Sequence, residues 1–255
     1  MEPVPSSLSS LLRCAIAGLL LLSLHSAIGA TSPIPDKTRV LLLAVTDEWN
    51  TTQTTLQLFR RTLPASSWTA IGASPQIHLG RNGLAWGRGI HPPQNGVQKR
   101  EGDKKSPAGI FSLSSILYGY ADQLSIPGWR YHCVSDRDLW IEDPSSLNYN
   151  RHLILNPHEP FPQNHLFDRM RQDDPAHALK LFIQHNAPPR AEPGAGSAIF
   201  FHISRTTNSV TTGCTSMSEV DLRNLLTSFS PLDHPLYILL PRSEYYRLRA
   251  SWRLP

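Results

Sequence analysis

Cysteine is scarce in this sequence, which has three cysteines among 255 residues. Cys14 lies in an N-terminal segment that we expect to be removed, so Cys133 and Cys214 remain. An exported protein commonly pairs its cysteines, and a single Cys133–Cys214 disulfide is therefore one interpretation. The other is that Cys214 is a free, reactive thiol and that Cys133 is a small buried residue.

The sequence also lacks a strong net charge. It has 24 Lys and Arg residues and 20 Asp and Glu residues, which gives a formal net charge of +4. So small a bias does not indicate nucleic-acid binding, and no basic stripe interleaved with aromatic residues supports it. It would help to hold the protein near an anionic polymer such as a cell wall. There is no internal repeat, so we expect one domain.

Long apolar runs are also absent. Residues 1–30 have the order of a secretory signal peptide, with Arg13, then the apolar run 15–22, then small residues. That run is shorter than the roughly 20 residues that a bilayer-spanning helix needs, so we expect no stable membrane span. After cleavage, the mature chain would consist of a linker at 31–38 and a domain at 39–255. The alternative is that the segment is not cleaved and serves as an N-terminal anchor.

Short apolar segments bounded by turn residues predict a mainly β domain. The strand candidates are residues 39–45, 68–71, 76–79, 199–203 and 236–240. Residues 178–185 are ambiguous between strand and helix. The clearest helix begins at Ser218, where Asp221 completes the spacing of a capping box and apolar residues follow with helical periodicity.

The chemistry lies between His202 and Cys214. His202 shares a strand face with Phe200, and Cys214 follows Gly213 twelve positions later, so one hairpin would hold thiol and imidazole in register. A thiolate and a base are the minimum for acyl transfer. The amides of Gly213 and Cys214 are candidate oxyanion donors. A buried structural histidine beside an ordinary turn is the alternative on spacing alone.

Further blocks surround this pair, at residues 80–87, 102–111, 140–144, 148–150 and 196–202. The block Gly-Asp-x-x-Ser-Pro-Ala-Gly within residues 102–111 is specific in combination with His202 and Thr212-Gly213-Cys214. Together these blocks resemble the L,D-transpeptidase catalytic (YkuD-like) family, and the resemblance covers most of residues 39–241.

The resemblance implies an L,D-transpeptidase-like β-sandwich with a few short helices, in the periplasm or cell envelope of a bacterium. Members attack an L-centre carbonyl of a peptidoglycan stem peptide, release D-Ala through a thioester acyl-enzyme, and pass the acyl group to an amine. By position, Cys214 is the nucleophile and His202 the base. Gly213, Thr212 and Ser204 are the oxyanion or backbone support. No metal or organic cofactor is implied.

A backbone carbonyl just after His202, at Ile203 or Ser204, is expected to orient the imidazole. The sequence departs from many members at Thr212 and Ser216, which stand where those have histidine and arginine or asparagine. The acceptor therefore stays open between a second stem, a lipoprotein lysine, a free D-amino acid and water. A hydrolase that uses water, or a catalytically silent wall-binding module, are the competing functions.

The remaining polar residues give weaker signals. Asp143 and Asn148 would bind stem-peptide amines or form local Asx turns. His152, His158 and His165 have no metal-ligand spacing on a predicted helix, so we expect them to be exposed loop residues.

Overall fold

The computed structural model describes Met1 and residues 32–206 and 209–255. Apart from Met1, the predicted signal peptide at 1–30 lies outside the described residues, and its cleavage stays a prediction. Residues 32–38 form turns rather than a strand. Ile34 is buried in the core, and the Ser32 hydroxyl donates to the Trp252 carbonyl at 2.7 Å. This segment therefore packs on the domain that follows it.

Thirteen strands and two α-helices form the described part, which confirms the prediction of a mainly β domain. The strands are β1 (Val40–Thr46), β2 (Gln53–Arg60), β3 (Thr69–Ile71), β4 (Gln76–His78), β5 (Leu84–Trp86), β6 (Ser106–Gly119), β7 (Arg130–Cys133), β8 (Asp138–Trp140), β9 (His152–Ile154), β10 (Leu179–Ile183), β11 (Phe200–Ile203), β12 (Thr215–Met217) and β13 (Leu236–Pro241). The helices are α1 (Glu219–Thr227) and α2 (Arg242–Trp252), with short 3-10 turns at Gln163–Asp168, Pro175–His177 and Pro231–Asp233.

The main sheet is barrel-like, because its hydrogen-bonded strands form a ring in the order β1-β13-β6-β10-β11-β12-β4-β2 and back to β1. Strands β3, β5 and β7 pair with β2 or β6 outside this ring, and β8 pairs with β9 in a separate hairpin. Closure leaves few unpaired strand edges. The sheet is continuous, so the finer expectation of a sandwich is not confirmed.

Alternation along β11 gives the sheet two apolar faces. Phe201 and Ile203 belong to the main core, which lies beneath α1 and α2, whereas Phe200 belongs to a second cluster with Trp140 and Phe182. This is the division that the period of two predicts, with His202 on the face of Phe200. The candidate site residue of this strand, His202, therefore lies on the side of the smaller cluster.

The ambiguous segment forms strand β10, and α1 begins as predicted, since the Ser218 hydroxyl accepts from the Asp221 amide at 3.1 Å. Helix α2 has no counterpart among the predictions. Its fully buried residues are Leu248 and Trp252 alone, so the apolar stripe is too narrow for periodicity to reveal.

Strand β13 lies between β1 and β6, and this position generates a stability prediction. We expect Leu239→Ala to lower the free energy of unfolding by about 2–5 kcal/mol, because a fully buried side chain leaves a cavity. Leu232→Ala removes the same atoms from a residue that is 84% exposed and should change stability by less than about 0.5 kcal/mol. Urea denaturation checks both, and equal losses would contradict the assigned core.

Candidate active site

His202 and Cys214 lie at the two ends of a loop between neighbouring strands. His202 is in β11, Cys214 immediately precedes β12, and the two strands are parallel, with His202 opposite Ser216. The expected hairpin is therefore wrong. Because the strands are parallel, the loop between them returns the chain to the start of β11, and Thr211 in this loop forms an isolated parallel bridge with Gly80.

Both side chains line one cavity of about 390 Å³. Thr212 is exposed and also lines this cavity, whereas Gly213 and Ser204 are not among its lining residues. In the described part of the chain, no hydrogen bond joins Cys214 to His202. Other residues that line the cavity include Glu101, Trp140, Glu142, His177, Lys180, Ala198 and Phe200.

The imidazole of His202 is held by the backbone of its neighbour. Its Nδ1 lies 2.8 Å from the Ile203 carbonyl, and a carbonyl can only accept, so Nδ1 carries the proton and Nε2 is the free base. Burial lowers the pKa of His202 to about 4, against the opposing effect of the Ile203 bond. The ring is therefore neutral at pH 7 and able to accept a proton.

The Cys214 thiol is also neutral at rest. It donates to the Ala198 carbonyl and accepts from the Phe200 amide, each at 3.4 Å. Although part of the residue reaches the cavity, desolvation raises the pKa of Cys214 to about 11, and the Phe200 amide only partly opposes this. Cys133 and Cys214 are both free cysteines, so the disulfide interpretation is wrong.

Two hydroxyls fix the backbone around Cys214. The buried Thr211 Oγ1 accepts from the Gly213 amide at 3.0 Å and donates to the Cys214 carbonyl at 2.7 Å. The Ser106 hydroxyl lies 2.9 Å from the Gly213 carbonyl and accepts from the Gly80 amide at 2.8 Å. Neither residue was singled out from the sequence, although Ser106 is the serine of the Gly-Asp-x-x-Ser-Pro-Ala-Gly block.

These hydrogen bonds bear on the roles that we expected for the backbone of Gly213 and Cys214 and for Ser204. The Gly213 amide donates to the Thr211 hydroxyl inside the turn, so its role as an oxyanion donor stays a prediction that requires this bond to be exchanged. The Cys214 amide has no acceptor among the described residues and stays a candidate. Ser204 donates its amide to the Met217 carbonyl and its hydroxyl to Ser216, whereas the carbonyl that holds the imidazole is that of Ile203.

Gly213 has a positive φ of 139°, and a Cβ there would lie 2.9 Å from the Lys105 carbonyl oxygen. Glycine is therefore required both by conformation and by space. The close approach places the loop after Gly102 directly against the turn that carries the cysteine.

Lys180 is a cation that sequence reasoning missed. It is opposite His202 on β10, is 3% exposed, and donates Nζ to the Met170 carbonyl at 2.8 Å. Burial lowers the pKa of Lys180 to about 8, so most molecules keep its charge at pH 7. The signal in the sequence was a lysine inside the apolar segment Leu179–Ile183.

His177 stacks on His202, with ring centroids 5.4 Å apart and planes 13° from parallel. Burial lowers the pKa of His177 to about 3, and the charges of Lys180 and His202 act in the same direction. Its buried Nδ1 has no hydrogen-bond partner among the described residues.

Carboxyl groups also line the cavity. Glu101 accepts from the Tyr149 and Ser197 hydroxyls, and Glu142 lies at the exposed rim. Desolvation, then the charge of Glu101, raises the pKa of Glu142 to about 7. Asp143 instead forms an Asx turn with Ser145, outside the cavity.

The pKa shifts predict how Cys214 reacts with iodoacetamide. We expect alkylation to accelerate about tenfold per pH unit from pH 7 to 10, because the reactive thiolate is a small fraction below pH 11. Lys180→Met should slow the reaction several-fold at pH 7, where most lysines are charged, since that charge lowers the pKa of Cys214. Peptide mass mapping separates Cys214 from Cys133.

Lys104→Met is the matched control, because it removes an exposed cation from the rim of the same cavity. It should leave the rate at Cys214 nearly unchanged. A rate that is already at its plateau near pH 6 would contradict the neutral resting pair and would indicate a preformed thiolate.

The Ser106 hydroxyl generates a second prediction. Ser106→Ala leaves the buried Gly80 amide and Gly213 carbonyl without their partner, so we expect a loss of about 1–3 kcal/mol in the free energy of unfolding. Ser125→Ala, at an exposed position, is the control. Guanidinium denaturation distinguishes the two, and an unchanged midpoint for Ser106→Ala would refute the role of this hydroxyl.

Comparison with known proteins does not identify the chain. No family model, curated protein or solved structure matches it. In the part of the chain that the structure describes, no helix has the length and apolar character to cross a membrane. The function therefore has to be argued from the chemistry of the site.

Proposed function

We propose that this protein is a cysteine-dependent acyltransferase, a peptidoglycan L,D-transpeptidase of the YkuD-like family, exported to the periplasm or cell envelope of a bacterium. The observation that carries the proposal is a thiol and a neutral, carbonyl-held imidazole on one cavity. Under this proposal the barrel-like sheet corresponds to the sandwich-like catalytic domain of that family.

The first half of the reaction forms a thioester. His202 Nε2 takes the proton from Cys214 Sγ as sulfur attacks the L-centre carbonyl of a stem peptide, so no resting ion pair is needed. The Cys214 amide stabilises the developing oxyanion. The tetrahedral intermediate then collapses with release of D-Ala, whose amine takes the proton from His202.

The second half transfers the acyl group. An amine acceptor gives a proton to His202 and attacks the thioester carbonyl, the carbon–sulfur bond breaks, and the proton returns to Cys214. The acceptor is a stem-peptide amine in the proposed cross-linking reaction. Burial of the neutral pair supports this order of events, because the thiol then gives its proton to His202 only as sulfur attacks the carbonyl.

The charges of the cavity fit a substrate that carries both signs. Lys180 offers a buried cation, whereas Glu101 and Glu142 offer carboxyl groups. A diamino acid in a stem peptide has a carboxylate and an amine that pair with these groups. Lys180 also stabilises the thiolate as it forms, since its charge lowers the pKa of Cys214.

The test is turnover of disaccharide-tetrapeptide muropeptides by the purified protein, followed by intact-mass and product analysis. We expect a thioester adduct on Cys214 and dimers that lack one terminal D-Ala. Cys214→Ala should lower the rate by roughly 10³-fold or more, and His202→Gln by roughly 10²-fold or more. Cys133→Ala is the matched control and should retain activity, since it removes the other thiol of the domain.

Each other outcome overturns a defined part of the proposal. Cys214-dependent tripeptide without dimer would identify a hydrolase that uses water as acceptor. Cell-wall binding without an adduct or turnover would identify a catalytically silent module. Turnover that survives Cys214→Ala would exclude cysteine catalysis.

A further inference from the structure

A second polar cluster lies outside the cavity, on strands β7, β8 and β9. His132 and His152 each direct Nε2 at the same atom, Oδ1 of Asp138, at 2.5 and 2.6 Å. The three potential ligand atoms lie within 4.8 Å of one another. The sequence predicted that His152 is an exposed loop residue without metal-ligand spacing. It instead lies in strand β9, and the fold brings it together with His132 and Asp138 from other strands.

The carboxylate of this cluster is fixed from behind. Asp138 is 1% exposed, and its Oδ2 accepts from the Ser135 amide at 2.8 Å and from the Ser135 hydroxyl at 2.6 Å. The orientation of Oδ1 towards the two imidazoles is therefore set by Ser135. Bonds of this kind commonly hold the carboxylate ligands of metal ions in position.

Aromatic neighbours fix the two imidazoles. The ring of His152 lies parallel to Trp140 at a centroid distance of 6.3 Å, and Tyr118 meets the rings of His132 and His152 at 5.9 and 5.2 Å. The side chains of His132 and His152 are 30% and 19% exposed. One side of the cluster is thus open to water while the others are packed.

We propose that His132, Asp138 and His152 form a binding site for a divalent transition metal, with zinc as the ion that suits the ligands best. Two imidazole nitrogens and one carboxylate oxygen are a common zinc ligand set, and the open side leaves room for water as the fourth ligand. Each imidazole binds through Nε2 and carries its proton on Nδ1.

The geometry needs little change to accept the ion. Tetrahedral zinc with bonds of about 2.0–2.1 Å separates its ligand atoms by roughly 3.3 Å. The nitrogen-to-oxygen contacts of 2.5 and 2.6 Å must therefore open by less than about 1 Å. Both imidazoles must move, and His132 has more room to do so, since it is the more exposed of the two.

The site would have a structural consequence. The β8–β9 hairpin is separate from the main sheet, whereas β7 pairs with β6 of the ring. A metal shared by the three strands fastens the hairpin to the barrel, and the hairpin contributes Trp140 to the wall of the catalytic cavity. This inference does not depend on the acyltransferase proposal.

The test measures zinc binding to the full chain without a polyhistidine tag. It uses the Cys214→Ala background, so that the thiol of the cavity cannot bind the ion. The protein is stripped with a chelator, titrated with Zn²⁺ against a chromophoric competitor, desalted and analysed for metal. We expect one zinc per chain, a dissociation constant below about 1 µM and a higher unfolding temperature in calorimetry.

His132→Gln and Asp138→Asn should each weaken zinc binding at least about 100-fold, since both remove a direct ligand. His158→Gln is the matched control, because it removes an exposed histidine outside the cluster. Circular dichroism checks folding. His132 is partly exposed, so its variant keeps the test decisive if Asp138→Asn does not fold.

Two results would overturn the proposal. Zinc that binds the parent more weakly than about 100 µM would show that the cluster is a hydrogen-bonded contact between strands. Tight binding that survives both ligand variants would place the ion elsewhere in the chain.

Discussion

Strand β6 is the constraint on which the rest of this structure depends. Its 14 residues pair with β5 near the start, with β13 in the middle, and with β10 and β7 towards the end. The ring of strands closes through these ladders, because β13 leads to β1 and β10 leads to β11. The hydroxyl of Ser106, the first residue of β6, also joins the Gly80 amide to the Gly213 carbonyl, one residue before Cys214. One strand thus joins the sheet to the backbone beside Cys214.

Removal from water dominates the electrostatics of the cavity. Burial raises the pKa of Cys214 and lowers the pKa values of His202 and His177, so these three side chains are neutral at rest. Lys180 keeps its charge because its pKa falls only to about 8. A neutral thiol beside a neutral base and a retained cation suits acid–base catalysis, in which charge develops only during the attack.

The smaller apolar cluster connects the two polar sites. Phe200 precedes His202 by two positions and packs with Trp140, whose ring also lies against His152. The backbone of Met170 completes the connection, since its amide donates to the Asp138 carbonyl and its carbonyl accepts from Lys180. Because protein interiors are closely packed, a change in side-chain volume on one side of such a cluster shifts the residues on the other side. The geometry of the cavity wall therefore depends on residues outside the cavity.

The sequence by itself determined the β-rich class, the strand of His202 and the helix that begins at Ser218. In each case the signal is local, either a period of two or a capping pair within four residues. It also pointed to Cys214 and His202, because both belong to one short segment.

Only the tertiary structure decided the features that depend on strand pairing. Lys180 and His177 reach His202 through the register of β10 and the turn before it, and Ser106 reaches Gly213 across 107 positions. Strand pairing also explains three further features. These are the parallel direction of β12, the hydrogen-bonded Gly213 amide, and the convergence of His132 and His152 on Asp138. Such contacts follow from which strands are neighbours, and a period along one strand carries no information about its neighbour.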